Sequence, residues 1–333
     1  MSDKLVLGVD IGGTKVAAGL VNSAGEIVAK TRVPMHAGGT ASQALDCVYE
    51  AIDKALALPQ GKENVSAIGL SSPGPLDPHT GVVLHTPNLP CWINFPLRKN
   101  VEQRYEIPVA LDNDANAAGL AEATWGAGAG HNSVFYVTIG TGVGTAIVLN
   151  GEVLYGRTGT AAEGGHMTID YHAPVRCGCG KRGCLESMAS GPAMALRAQA
   201  KVSSDGASGA ALLALADGEV SGISTEAVVK ASRAGDPLAR QVVQETVDLL
   251  TIWLGNVVDL LEPEVIVIGG GLGSHLTEWF EAIRSGLPKW SINTRASEIP
   301  ILPAKYGADA GIAGSAALWL REQVRSKAAV ELD

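Results

Sequence analysis

A short pattern occurs twice in this chain, and it constrains the fold more than any other feature. Val9-Asp10-Ile11-Gly12 returns as Val137-Thr138-Ile139-Gly140, and Ala18-Gly19-Leu20-Val21-Asn22 lines up with Ala146-Ile147-Val148-Leu149-Asn150 at the same offset. Each copy reads strand, glycine turn, strand, turn, strand. Such a repeat implies two similar α/β domains, each opening with a strand meander and facing each other across a cleft. A chance likeness between glycine-rich strand turns is the other reading. In the first copy the strands are expected at Lys4 to Asp10, Lys15 to Asn22 and from Glu26. Leu45, Val48, Ile52 and Leu56 share one face of a helix over Ser42 to Leu58, and short strands follow at Ala67 to Ser71 and Val109 to Leu111. The domain boundary is expected between Asp112 and Ala121, giving domains of residues 1–115 and 116–309. A last helix over residues 310–326 is expected to pack back on the first domain.

Glycine makes up 41 of the 333 residues, nearly twice the average share of roughly 7%. The glycines gather at the ends of apolar runs, where a backbone without Cβ atoms can approach a phosphate closely. Asp10-Ile11-Gly12-Gly13-Thr14-Lys15 sets a carboxylate at a strand end with N–H groups after it, an arrangement that can hold Mg²⁺ through water and cradle phosphate. A plain hairpin turn also fits that hexapeptide. Ile139-Gly140-Thr141-Gly142-Val143-Gly144 offers the same donors in the second copy. Ile266-Val267-Ile268-Gly269-Gly270-Gly271 is a buried strand ending in three glycines, on which an adenine or ribose could rest. No G-x-x-x-x-G-K-S/T is present, and none of the turns completes G-x-G-x-x-G, so neither a P-loop nor a dinucleotide fold is supported.

Two further clusters carry chemistry. Leu111-Asp112-Asn113-Asp114-Ala115-Asn116 leads from a strand into an alanine-rich helix, with Asp114 near its start in a natural capping position. Four polar residues in five exceed what one cap requires. A carboxylate there could orient an attacking hydroxyl and accept its proton. His166-x₁₀-Cys177-x-Cys179-x₄-Cys184 offers one imidazole and three thiolates, a full tetrahedral donor set for a structural Zn²⁺ with no open position. Lys181 and Arg182 offset part of the thiolate charge. Cys47 and Cys91 have no such neighbours and read as buried fillers.

Composition closes off other classes. The net charge is −9 with no Lys/Arg cluster, so nucleic acid and anionic membrane are poor partners. Met1-Ser2-Asp3-Lys4 runs into an apolar strand without a cleavage region, and the longest apolar run, Leu249 to Leu261, is broken by Asn256 and Asp259. A cytoplasmic protein is expected. Gly69-Leu70-Ser71-Ser72-Pro73 lacks the final glycine of a hydrolase nucleophile elbow.

Asp10 to Lys15, Gly140 to Gly144 and Gly269 to Gly271 resemble, in order, the phosphate-1, phosphate-2 and adenosine motifs of the actin, hexokinase and heat-shock ATPase superfamily. Asp112 to Glu122 and Asp309 to Trp319 resemble its two connecting helices. Within it, Asn113-Asp114-Ala115-Asn116, Glu163-Gly164-Gly165-His166 and Cys184-Leu185-Glu186 resemble the ROK family of sugar kinases and repressors. The resemblance implies two actin-like (ribonuclease H-like) domains, ATP and Mg²⁺ as cofactors held by Asp10, Gly12, Gly13, Thr14, Lys15, Thr141, Gly142, Gly269, Gly270 and Gly271, and a hexose as substrate. It implies Asp114 rather than Asp112 as general base, with Asn113, Glu163, His166 and Glu186 on the sugar and His166 reaching zinc through its other nitrogen. Ser72-Pro73-Gly74-Pro75 and Asn88-Leu89-Pro90-Cys91-Trp92 resemble the first-domain sugar loops, with Gly74 and Asn88 as the contacts. Glucose is the expected hexose. Mannose, fructose, N-acetylmannosamine and N-acetylglucosamine are the alternatives, and a homodimer or homotetramer is implied. The family's repressors carry a helix-turn-helix before the first glycine turn, whereas nine residues precede Asp10 here, so an enzyme is expected.

Overall fold

The computed structural model describes residues 4–59, 61–204 and 209–330. The N-terminal stretch Met1 to Asp3 lies outside the described residues. Along the chain the strands are β1 (Leu5–Ile11), β2 (Lys15–Val21), β3 (Ile27–Pro34), β4 (Val65–Ser72), β5 (Leu76–Asp77), β6 (Val82–His85), β7 (Ile93–Phe95), β8 (Val109–Asn113), β9 (Ser133–Ile139), β10 (Val143–Leu149), β11 (Glu152–Val153), β12 (Val265–Gly269) and β13 (Ile301–Pro303). The helices are α1 (Ala41–Leu56), α2 (Gly61–Asn64), α3 (Leu97–Tyr105), α4 (Asp114–Trp125), α5 (Glu186–Ala189), α6 (Gly191–Ser204), α7 (Ala210–Ala214), α8 (Thr225–Arg233), α9 (Pro237–Leu261), α10 (Gly271–His275), α11 (Phe280–Gly286) and α12 (Ala310–Val330).

The sequence repeat emerges as topology. One sheet has the order β3-β2-β1-β4-β8 and another β11-β10-β9-β12-β13, the same order in the two copies. In the first, β1 runs antiparallel to β2 and parallel to β4, and β8 extends the parallel half. A small sheet, β5-β6-β7, stands apart in the strand pairing. The chain forms two compact units, Met1–Val134 with Ala146–Ala162 and Lys305–Asp333, and Phe135–Thr145 with Glu163–Ala304.

Strand β1, LVLGVDI, is an almost unbroken apolar run, as expected of a strand covered on both faces. Leu5, Leu7 and Val9 point to one side, into a core shared with Leu45, Val48 and Ile52 of α1. Val6 points to the other side, with Ala67, Ile312 and Ala316. Full burial of a side chain such as Ile52 stabilises by about 2 kcal/mol. Helix α1 starts at a capping box, with the Thr40 side chain accepting from Gln43 N and the Gln43 side chain from Thr40 N, which satisfies two otherwise orphaned donors.

Helix α12 sits unusually close to its sheet. A Cβ at Gly8 would lie 2.0 Å from the Ile312 carbonyl oxygen, and one at Gly69 would lie 1.7 Å from that of Ser315. Both glycines lie inside strands, where a missing side chain marks close approach of another backbone. This seat fixes the start of α12 against the end of β1.

Two boundaries differ from the apolar pattern. β1 continues through Ile11, because Ile11 pairs with Val16, so Asp10 lies within the strand. β8 continues past Leu111 because Asp112 and Asn113 pair with Ser71 and Ser72 of β4. Parallel pairing carries these polar residues to the strand end, where the apolar signal had already stopped. Among the described residues, no helix is long and apolar enough to cross a membrane.

Candidate active site and metal cluster

In the first unit, the turn after β1 is closed by Gly12 N donating to Lys15 O at 2.9 Å. Thr14 and Lys15 are exposed. Asp10 accepts from the Ser71 hydroxyl at 3.3 Å, and the Ser315 hydroxyl of α12 donates to Ser71 at 2.9 Å. Burial pushes the Asp10 carboxyl above its ordinary value, opposed by the Ser71 hydroxyl and the charges of Lys15 and Arg32. A cation at this carboxylate would relieve that penalty. Gly311 at the start of α12 packs on Asp10 so closely that a Cβ there would be 2.2 Å from its Cγ.

The Asn88 loop touches this turn. A Cβ at Gly13 would lie 2.8 Å from the Asn88 carbonyl oxygen. Leu89 and Trp92 are fully buried and Asn88 is exposed. Trp92 stacks on Phe95 with centroids 5.0 Å apart, and its Nε1 donates to Ala41 O. The loop is therefore anchored by two apolar side chains with Asn88 held at the surface.

At the start of α4 the cap falls on Asn113, one residue before the position read for Asp114. Asn113 Oδ1 accepts from Ala115 N at 2.9 Å and Asn116 N at 3.4 Å. Its Nδ2 lies 3.2 Å from where a Gly74 Cβ would be, so this glycine leaves room for the amide. Asp114 follows as the first helical residue, with Oδ1 accepting from Ala115 N at 2.8 Å. A carboxylate in a first turn is favoured by the helix dipole. Asp112 is 1% exposed. It accepts from Asn113 N, Asn116 Nδ2 and the Tyr155 hydroxyl. Those bonds give Asp112 a supporting role beneath Asn113 and Asp114.

In the second unit, the turn after β9 is closed by Gly140 N donating to Gly142 O at 2.9 Å. Thr141 is exposed at its tip. Gly270 has φ +85°, and a Cβ there would lie 2.5 Å from the Ile139 carbonyl oxygen. A Cβ on Gly140 would be 3.9 Å from Gly271 N. The Ile139-Gly140 end of this turn and Gly270-Gly271 are thus neighbours.

His166, Cys177, Cys179 and Cys184 offer donor atoms all within 4.8 Å of one another. His166 Nδ1 lies 3.4 Å from Cys177 Sγ, and Cys179 Sγ lies 3.6 Å from Cys184 Sγ. Tetrahedral Zn²⁺ with bonds of about 2.3 Å to sulfur and about 2.05 Å to nitrogen would set these pairs about 3.6 Å and about 3.8 Å apart. The donor set fits that ion in chemistry and in size. The loop owes its shape to Gly180 and Gly183, at φ +89° and +69°, and to Lys181 Nζ donating to His166 O at 2.7 Å.

Glu163, exposed, precedes the buried pair Gly164-Gly165. Gly164 N donates to Thr145 Oγ1, and Trp253 Nε1 donates to Gly164 O. Ala162 just before has φ +62°, a costly conformation for a residue with a Cβ and one that clusters at functional sites. Glu186 opens α5 with one oxygen 3.9 Å from His166 Nδ1. Ser71, Tyr155, Gly311 and Ser315 escaped the motif reading. Interior glycines were the available signal for Gly311, and nothing in the local sequence marks Tyr155.

Two like-ordered sheets with glycine turns at their leading strand ends, and a carboxylate opening the helix after β8, define the actin-like class of α/β phosphotransferases. The ROK family matches residues 6–322. The chain is 35% identical to a glucokinase of Halalkalibacterium halodurans over 97% of its own length and 96% of the relative's. A ROK family glucokinase of Streptomyces griseus, solved with glucose and AMPPNP, superposes with a TM-score of 0.81 at 36% identity, covering 94% of this chain and 98% of that one. A ROK hexokinase of Thermus thermophilus gives 0.78 at 34%, covering 96% and 99%. The chain belongs to the ROK family, and it is a kinase of the hexokinase type.

Proposed function

We propose that this protein transfers the γ-phosphoryl group of ATP to a hydroxyl of glucose, giving glucose 6-phosphate and ADP, with Asp114 as the general base. The observation that carries the reading is the division of labour at α4. Asn113 supplies the helix cap and Asp112 supports the backbone, while Asp114 sets a carboxylate in the first turn of α4, its Oδ1 on Ala115 N at 2.8 Å, and it is the group assigned to the substrate hydroxyl. As the new O–P bond forms, Asp114 accepts the hydroxyl proton while the bond to the ADP oxygen breaks. Amides of the Gly12–Lys15 turn, with Thr141 and Gly142, are assigned to the phosphate oxygens, and Gly269–Gly271 to the adenosine. Mg²⁺ supplies charge neutralisation at the phosphates, and Asp10 is the residue assigned to hold it through water. Gly74, Asn88, Asn113, Glu163, His166 and Glu186 are assigned to the sugar.

Zn²⁺ is proposed as a structural ion on His166, Cys177, Cys179 and Cys184. With Nδ1 turned to the sulfurs, His166 keeps Nε2 for a sugar hydroxyl, so metal and substrate geometry are linked through one ring. The enzyme is further proposed to work in the cytoplasm as a homodimer or homotetramer. The three free thiols of the cluster suit a reducing compartment.

The test is a panel of hexoses with ATP, read by ADP release. Glucose is expected to give the highest kcat/KM. Faster turnover of N-acetylmannosamine, N-acetylglucosamine, mannose or fructose would reassign the substrate within the family.

A further inference from the structure

Glu186, assigned above to the sugar, makes contacts in this structure that a sugar ligand alone does not require. Its Oε2 accepts from Val143 N at 3.0 Å, on the far side of the Thr141–Gly144 turn, while its Oε1 lies 3.5 Å from Cys177 Sγ and 3.9 Å from His166 Nδ1. One carboxylate therefore touches both the metal cluster and the turn assigned to nucleotide. The neighbouring glycines agree. A Cβ at Gly142 would be 2.6 Å from Glu186 Oε2, and the φ of Gly142 is not left-handed, so this glycine makes room for the carboxylate rather than for a torsion. A Cβ at Gly165 would lie 2.0 Å from the Val143 carbonyl oxygen. Val143 is thus gripped on both sides of its peptide unit by segments that flank the metal ligands. The turn is secured further by Gly191 N donating to Gly140 O at 2.9 Å, and α5 by Arg197, which donates to Met188 O.

We infer that Glu186 is a positioning residue that ties the metal cluster to the amide of Val143, so that metal occupancy sets the shape of the Thr141–Gly144 turn and hence nucleotide affinity. The inference rests on the assignment of that turn to ATP made above. A carboxylate can serve a sugar hydroxyl and this amide together, because its two oxygens accept several hydrogen bonds.

The test uses the zinc-loaded full chain, with Mg-AMPPNP binding by calorimetry and hydrogen exchange at the Val143 amide. In the wild-type protein, chelating zinc is expected to speed that exchange and to weaken Mg-AMPPNP about 10- to 100-fold, the size expected for one bond to a charged acceptor. Glu186→Ala, with zinc content checked by metal analysis, is expected to match the chelated wild type, with no further change at Val143 when its own zinc is removed. Glu186→Gln retains an oxygen acceptor and is expected to restore slow exchange. Gly142→Ala displaces the carboxylate without deleting it, and carries the test if Glu186→Ala loses its metal. Unchanged exchange and AMPPNP affinity in both the Glu186→Ala and Gly142→Ala proteins would overturn the inference. So would an undiminished chelation effect at Val143 in Glu186→Ala. If wild-type protein failed to bind Mg-AMPPNP while exchange at Val143 still followed zinc and Glu186, the link would stand and the assignment of the turn to ATP would fall.

Discussion

Gly311→Ala separates activity from stability in a way that tests how Asp10 is held. The added methyl would lie 2.2 Å from Asp10 Cγ and 2.5 Å from each carboxylate oxygen. Ordinary carbon contacts begin near 3.5 Å, so the carboxylate must retreat by about 1 Å. Retreat costs it the Ser71 hydroxyl, now at 3.3 Å, and shifts the residue assigned to Mg²⁺. A misplacement of about 1 Å in a reacting constellation lowers turnover about 100-fold. Stability should change far less. Alanine for glycine in a helix gains up to about 1 kcal/mol, and crowding one flexible side chain costs about 1–3 kcal/mol, so the two nearly offset. Gly314→Ala is the contrast, because its Cβ would meet the backbone of Ala117 at 2.4 Å and should lower the melting temperature. The assay is ADP release at saturating glucose and ATP, beside thermal unfolding of the same samples. Adding Gly311→Ala to Asp10→Ala should cost nothing more, since both act through one carboxylate. Turnover of the single variant within threefold of wild type, or full additivity in the double variant, would refute the reasoning.

Asp114→Asn should retain glucose binding and lose about 10²- to 10⁴-fold in kcat, and near-normal turnover would remove Asp114 as the base. Removing zinc should loosen Cys177 to Glu186, seen as increased protease cleavage in that loop, and hexose affinity that survives complete removal would show that the ion does not brace the site. Burial raises the Asp10 carboxyl above 3.8, so ionising it penalises the folded apo protein at pH values above that raised pKa, and the penalty fades as pH falls through it. Asp10→Asn should therefore raise the apo melting temperature at pH 7, with the advantage shrinking towards pH 3.8. An advantage that grew on acidification would contradict the burial account.

Local sequence carried the glycine turns, the Asn113-Asp114 pair and the cysteine cluster, because each is a chemical group repeated or spaced within a few residues. The repeat carried the sheets, because a strand meander leaves an apolar and glycine signature of its own. What was hidden depends on contacts between distant segments. Tyr155 reaches Asp112 from 43 residues away, and no periodicity announces it. The β8 boundary moved for a related reason, since pairing with β4 rather than apolar content extends it through Asp112 and Asn113.

Glycine shows where such readings can be pushed further. Gly270 and Gly183 hold left-handed backbone at φ +85° and +69°, the role a turn motif suggests. Gly8, Gly69, Gly142 and Gly311 do not, and a Cβ added at each would lie 2.6 Å or less from a named atom of another segment. For Gly8 and Gly69 that atom is backbone of α12, so substitution strikes at the seating of the helix. For Gly142 and Gly311 it belongs to Glu186 and Asp10, so substitution strikes at a carboxylate assigned to the proposed site while the fold can persist. Stability measurements alone would rank the first pair as important and overlook the second, which is why turnover, nucleotide binding and melting must be read on the same variants.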